Sequence, residues 1–269
     1  MELEVILPPT AEKIAPIFVT SPTNHSGGGL IQRTVCASTN GICFGDNLFD
    51  EFLSQIDWAL ELVERHQTAK DIEQSLLNNV LNGEVRTWMP ELGLPLDLYT
   101  AALMSVIYNL PHTAQSYAKE ESRSIWMVAR ASVAGTRLID LLNLFPMAKM
   151  VIIHRNPLDI IRDALRDHPT LDISELCQTW NQYMRDYLDI KSDRVIKLHY
   201  EHAQSDVEGF SQALTSFTGI EGITEQLRNA GCEAELSSES ELSETLVAQI
   251  QSNCTDMLSV YYPDLVSKI

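Results

Sequence analysis

Apolar and polar positions fall into blocks along this chain, and the blocks predict strands and helices in alternation. Residues 14–20 form a short apolar run with an internal proline, and a glycine-rich turn then leads into a helix over about 30–37. Strand, loop and helix in that order open a parallel α/β sheet. Between 48 and 66 the apolar residues Leu48, Phe49, Phe52, Leu53, Ile56, Ala59, Leu60 and Val63 recur at helical spacing, and 69–81 predicts a second helix ending near Gly83. Both stripes read as core-facing.

The pattern continues with an irregular, proline-punctuated stretch over 84–97, a helix over 98–110, and a fully buried strand over 124–129. A helix over 135–144, a strand over 149–154 and a helix over 158–167 follow. An amphipathic helix over 172–190 opens with an Asp cap, a strand occupies 195–199, and a helix runs over about 206–217. This alternation predicts a parallel sheet covered on both faces. Residues 233–244 are acidic and serine-rich, which predicts a mobile loop or, alternatively, an acidic arm for a partner. Helical spacing resumes over 245–260 and predicts a helix docked on the body. No repeat is visible.

Composition narrows the reading. A chain of 269 residues with 45% hydrophobic content predicts one globular domain over 1–269, with helical insertions at about 47–123 and a C-terminal helical segment at about 220–269. The formal net charge of −18 disfavours nucleic acid or an anionic membrane as partner. No apolar run approaches the ~18 residues of a membrane span, and the first residues lack the pattern of a signal peptide. Five scattered cysteines without a C-x-x-C pair indicate neither a disulfide framework nor a zinc site. A cytoplasmic protein without a metal is the expectation.

The chemistry begins at Ser21-Pro-Thr-Asn-His25-Ser26-Gly27-Gly28-Gly29-Leu30. Glycines at a helix N-terminus free backbone amides for an anion, which the helix dipole also favours. The Lys-Ser/Thr of an ordinary P-loop is replaced by Leu30-Ile31, so an Mg-ATP kinase is disfavoured. A second anion-holding element is the strand that runs from Phe145-Pro-Met-Ala-Lys149 to Arg155-Asn-Pro-Leu-Asp159. A third segment is Arg194-Val-Ile-Lys-Leu-His-Tyr200-Glu201, followed by Phe217-Thr-Gly219.

In this order and spacing the three segments resemble those of the PAPS-dependent sulfotransferase family. The resemblance spans roughly residues 14–220. It implies a three-layer, P-loop NTPase-like α/β fold with a central parallel sheet flanked by helices, and PAPS as sulfonate donor, leaving PAP. It also implies a small-molecule, carbohydrate or lipid acceptor. The amides of Ser26, Gly27, Gly28, Gly29 and Leu30 would cradle the 5′-phosphate, with the Ser26 hydroxyl as a further donor. Arg155 would hold the 3′-phosphate, and Tyr200 matches the tyrosine near the adenine.

Several positions depart from the family. His25 stands where a lysine or arginine usually faces the leaving oxygen. It serves if protonated, and otherwise it is a solvent-facing loop residue. Gly28-Gly29 replaces hydroxyl-bearing residues, so binding should survive better than turnover. Asp163 replaces a serine at the 3′-phosphate, where a carboxylate is unfavourable. Arg162 turned inward, or Asp163 turned to solvent, would relieve that conflict. A cluster of Arg33, Arg130, Arg155 and Arg162 would have to offset the global charge. Either His25 or Arg130 would polarise the leaving oxygen. Asp46 in Gly45-Asp46 is either the general base or the N-cap of the helix beginning near Leu48, and His112 is a further base candidate. A catalytically degraded member that binds a nucleotide or protein without turnover stands as the alternative.

Overall fold

Continuous apolar runs, whose successive side chains turn to opposite faces and are buried on both, build the centre of the molecule. A computed structural model describes residues 7–85, 88–235 and 242–266. Five parallel strands, β1 (Ile17–Ser21), β2 (Gly41–Phe44), β3 (Ile125–Ala131), β4 (Lys149–His154) and β5 (Val195–His199), lie in the order β2-β3-β1-β4-β5. Phe18, Trp126, Val128, Met150 and Ile152 face one layer of helices. Ile17, Val19, Met127, Val151 and Ile153 face the other.

The first layer contains α2 (Asp46–Leu81), α3 (Leu96–Glu120), α4 (Gly135–Leu144) and α6 (Ile173–Asp189), whose buried residues join one core. The second contains α1 (Gly28–Ala37), α7 (His202–Ser205), α8 (Val207–Thr218) and α9 (Thr224–Glu235). A smaller core joins Ile160 and Ile161 of α5 (Pro157–Asp167) and Trp180 and Met184 of α6 to Ile250, Met257 and Leu258 of α10 (Glu244–Tyr261). The short α11 (Pro263–Val266) follows. This is the expected three-layer α/β fold with a parallel sheet.

Several boundaries differ from expectation. The two helices expected over 48–66 and 69–81 are one continuous α2. The polar residues at 67–68 do not break it, because the Thr68 hydroxyl donates back to the Glu64 carbonyl (3.0 Å) inside the turn. Helix α3 runs past Pro111, whose missing N–H costs one intrahelical bond. Tertiary contacts offset that loss. Gln115, four residues on, accepts from the Ala15 amide (3.0 Å) and the Trp126 indole (3.2 Å) and donates to the Lys13 carbonyl (2.8 Å). His112 therefore lies on a helix, exposed, not in a loop. The four-residue edge strand β2 was not expected. Residues 233–235 of the acidic stretch belong to α9, 236–241 lie outside the described residues, and α10 opens on a Ser243 cap.

Candidate active site

In an open parallel sheet, ligands bind beyond the carboxyl ends of the strands where the strand order reverses, here between β1 and β4. The loop after β1 is rigid from within. The Ser21 hydroxyl donates to the Thr23 carbonyl (3.0 Å), and the hydroxyls of Thr23 and Ser26 lie 2.9 Å apart. Ser26 is fully buried, with its side chain inside the loop. Gly27 caps α1 with φ at 110°. A Cβ there would meet Ile153 and Tyr200 at 2.7 Å, so only glycine lets the loop lie this close to β4 and β5.

The first intrahelical amide of α1 is that of Ile31, bonded to the Gly27 carbonyl (3.2 Å), which leaves the amides of Gly28, Gly29 and Leu30 without a helical acceptor. A Cβ at Gly29 would meet no atom within 4 Å. The helix end is thus open to an approaching anion. The Leu30 side chain is buried in the core beneath, so this residue offers its amide alone.

Arg155 follows the last residue of β4. Its Nη1 donates to the His25 carbonyl (3.1 Å), which joins the loop after β1 to the end of β4 across 130 positions of sequence. The guanidinium stacks over the Tyr200 ring at 4.6 Å, and the Trp180 indole donates to the Arg155 carbonyl (3.2 Å). The same Nη1 donates to Asp163 Oδ2 at 2.5 Å. Asp163 therefore neither faces solvent nor yields its place to Arg162, which is paired with Asp159 at 2.5 Å. Arg155 Nε is buried without a partner among the described residues.

On the opposite side of the loop a cleft of about 210 Å³ is lined by Asn24, His25, Gly28, Gly29, Asp46 and Arg130. Gly45 is the N-cap of α2, and Asp46 is its first residue, so the expected cap role does not fall to Asp46. Arg130 at the end of β3 donates through Nε to Asp50 (2.9 Å) and lies 3.5 Å from Asp46. Asp50 was missed in the sequence, although it stands four residues after Asp46 and therefore on the same helix face. His25, held at φ 63°, lies 3.8 Å from Asp167. Ser132 ties the β3 end to the loop through bonds to the Ser21 and Pro22 carbonyls (2.8 and 3.0 Å). Arg33 is exposed on α1 and is not part of the cleft lining.

The imagined cluster of unopposed arginines is therefore a set of ion pairs: Arg130, Arg155 and Arg162 each meet a carboxylate. Behind them, Glu201 accepts from the Asn156 amide (2.8 Å), and Asn156 caps α5 by accepting from the Asp159 amide (3.0 Å). His154 Nδ1 lies 2.8 Å from the Tyr262 hydroxyl. Burial holds the His154 pKa well below the usual histidine range, and the neighbouring His199, Lys197 and His202 add to the effect.

The sequence profile of the sulfotransferase family matches residues 16–225. The chain belongs to the sulfotransferase family. Among solved structures, the chain is similar to the sulfotransferase domain from the Curacin biosynthetic pathway, with 14% identity, 91% of this chain and 96% of that one covered, and a TM-score of 0.49. It is similar to the sulfotransferase domain of the olefin synthase of Synechococcus PCC 7002 at 12% identity, 92% and 94% coverage and a TM-score of 0.47. Sulfotransferase STF9 from Mycobacterium avium follows at 14% identity, 94% and 79% coverage and a TM-score of 0.43. No curated protein matches the chain in sequence.

Proposed function

We propose that this sulfotransferase is an active enzyme that moves a sulfonate group from a nucleotide phosphosulfate to the hydroxyl of a small-molecule, carbohydrate or lipid acceptor. PAPS is the donor that the family resemblance implies. One observation carries the reading: the Arg155 guanidinium bonds the His25 carbonyl (3.1 Å), so one nucleotide can span the glycine loop and the end of β4. The open amides of Gly28, Gly29 and Leu30 fit the 5′ end, and Tyr200 supplies an aromatic face beside Arg155. The 3′-phosphate fits poorly, because Asp163 already occupies Arg155.

Bound at the loop, the donor supplies an activated sulfonate. The chain must position the acceptor, take its proton and stabilise charge on the leaving oxygen. Asp46 lies on the same cleft as Gly28 and Gly29 and would take the proton. Arg130 lies 3.5 Å from that carboxylate, and Arg130 or His25, both on the cleft, would meet the developing charge.

A non-catalytic, nucleotide-binding role is the second reading, favoured by the ion pairs that engage Arg130 and Arg155. Calorimetry with adenosine 5′-monophosphate and adenosine 3′,5′-bisphosphate addresses both. Micromolar binding of at least one, weakened tenfold or more by Arg155→Ala, is expected. Sulfonate release from labelled donor with an acceptor mixture then separates enzyme from binder. No binding of either nucleotide would end the donor-site reading.

A further inference from the structure

The carboxylates at the end of β4 leave little room for an incoming phosphate. We propose that Asp163 selects a donor whose ribose carries a free 3′-hydroxyl, adenosine 5′-phosphosulfate in place of PAPS. The inference rests on the nucleotide site proposed above and specifies the donor that occupies it.

The argument is one of charge and hydrogen-bond capacity. Arg155 is the cation placed to meet a phosphate at this corner, and its Nη1 is shared between Asp163 (2.5 Å) and the His25 carbonyl (3.1 Å). The neighbouring arginines among the described residues are engaged as well, and His25 sits beside a carboxylate. Arg162 meets Asp159 (2.5 Å), Arg166 meets Asp163 and Asp167 (3.4 Å each), and His25 lies 3.8 Å from Asp167. Arg155, Arg162 and Arg166 thus meet Asp159, Asp163 and Asp167, and Glu201 stands behind them on the Asn156 amide, so the fixed charges here do not sum to a positive corner.

The Arg155–Asp163 pair is also shielded from water, its side chains being 15% and 17% exposed. A phosphate would have to displace Asp163 from its arginine and leave that carboxylate poorly solvated beside a second anion. A hydroxyl has no such conflict. It is donor and acceptor at once, so it can give its hydrogen to Asp163 while the ion pair persists. Dinucleotide sites divide the task in the same way, with a carboxylate for a ribose hydroxyl and an arginine for a ribose phosphate.

The discriminating measurement is the ratio of two affinities, for adenosine 5′-monophosphate and adenosine 3′,5′-bisphosphate, in the full chain. The wild type should bind the monophosphate at least tenfold more tightly. Asp163→Asn, which keeps the shape and removes the charge, should tighten the bisphosphate tenfold or more and leave the monophosphate unchanged or weaker. Asp163→Ser serves as a second variant should the first fail to fold. A wild type that binds the bisphosphate as tightly as the monophosphate or more so would overturn the inference, as would variants that leave the ratio unmoved. In either case the nucleotide site itself stands. If neither nucleotide binds wild type or variants, the underlying site reading falls, and the donor preference with it.

Discussion

At the scale of single residues, the site is a set of charges whose partners decide what each can do. Asp46 is exposed at the start of α2 and keeps its carboxylate on the cleft, while Arg130 divides itself between Asp46 and Asp50. Asp46→Asn should lower kcat by about 10²–10⁴-fold, the usual contribution of a general base, with KM nearly unchanged. Steady-state kinetics on a competent acceptor checks this, and an unchanged kcat would remove Asp46 from the chemistry. The sequence marked Gly27, Gly28, Gly29 and Arg155 as candidates, because glycines at a helix start and a cation at a strand end stand where open parallel sheets place ligands. It did not disclose that Asp163 would close on Arg155. That contact joins the end of a strand to the second turn of the next helix, and no period of hydrophobicity reports on the angle between them. Trp180 was equally silent: its spacing marks a buried stripe, but not that its indole reaches the Arg155 carbonyl.

At the scale of elements, α1 is the one whose placement matters most, and Gly27 sets it. Ala at this position would cost about 1–2 kcal/mol for the left-handed backbone and about 1–3 kcal/mol more for the overlap with Ile153 and Tyr200. Gly27→Ala should therefore lower the melting temperature, by about 2–4 °C for each kcal/mol in a chain of this size. It should also weaken nucleotide binding, because the loop must retreat from β4. A fluorescence melt and calorimetry on the same variant test the pair, and an unshifted melt would contradict the geometry. Strands β1, β3 and β4 were legible because both their faces are apolar and uninterrupted. The four-residue β2 was not, since Gly41-Ile-Cys-Phe44 carries too short a signal and pairs with β3 alone. Local polarity at 67–68 and a proline at 111 suggested ends for α2 and α3. Helix α2 continues because Thr68 bonds back within its own turn, and α3 because contacts distant in sequence outweigh local preference.

At the scale of the whole molecule, a buried aromatic and imidazole cluster couples the sheet to the C-terminal helices. His154 packs against His199, with ring centroids 4.1 Å apart, and against Tyr261 and Tyr262. Burial, and secondarily His202, lowers the His199 pKa as well. These imidazoles stay neutral in the folded protein at pH values where the unfolded chain, titrating near pH 6.5, takes up protons. The unfolded state then binds more protons, so stability falls as pH drops below about 6.5 and recovers above it. His154 alone should contribute a slope that approaches about 1.4 kcal/mol per pH unit only once the pH is well below 6.5. Urea midpoints between pH 7.5 and 5.5 should decline accordingly, and His154→Gln should flatten the slope. An identical slope in the variant would show that other groups set it. The third core has a consequence for how the protein is made. Trp180 and Ile160 are covered by Ile250, Met257 and Leu258, more than sixty positions further along the chain. A nascent polypeptide leaving the ribosome can pair its five strands while this greasy flank is still bare. Until α10 has been translated that apolar flank stays exposed, the kind of surface on a partly folded chain that invites aggregation.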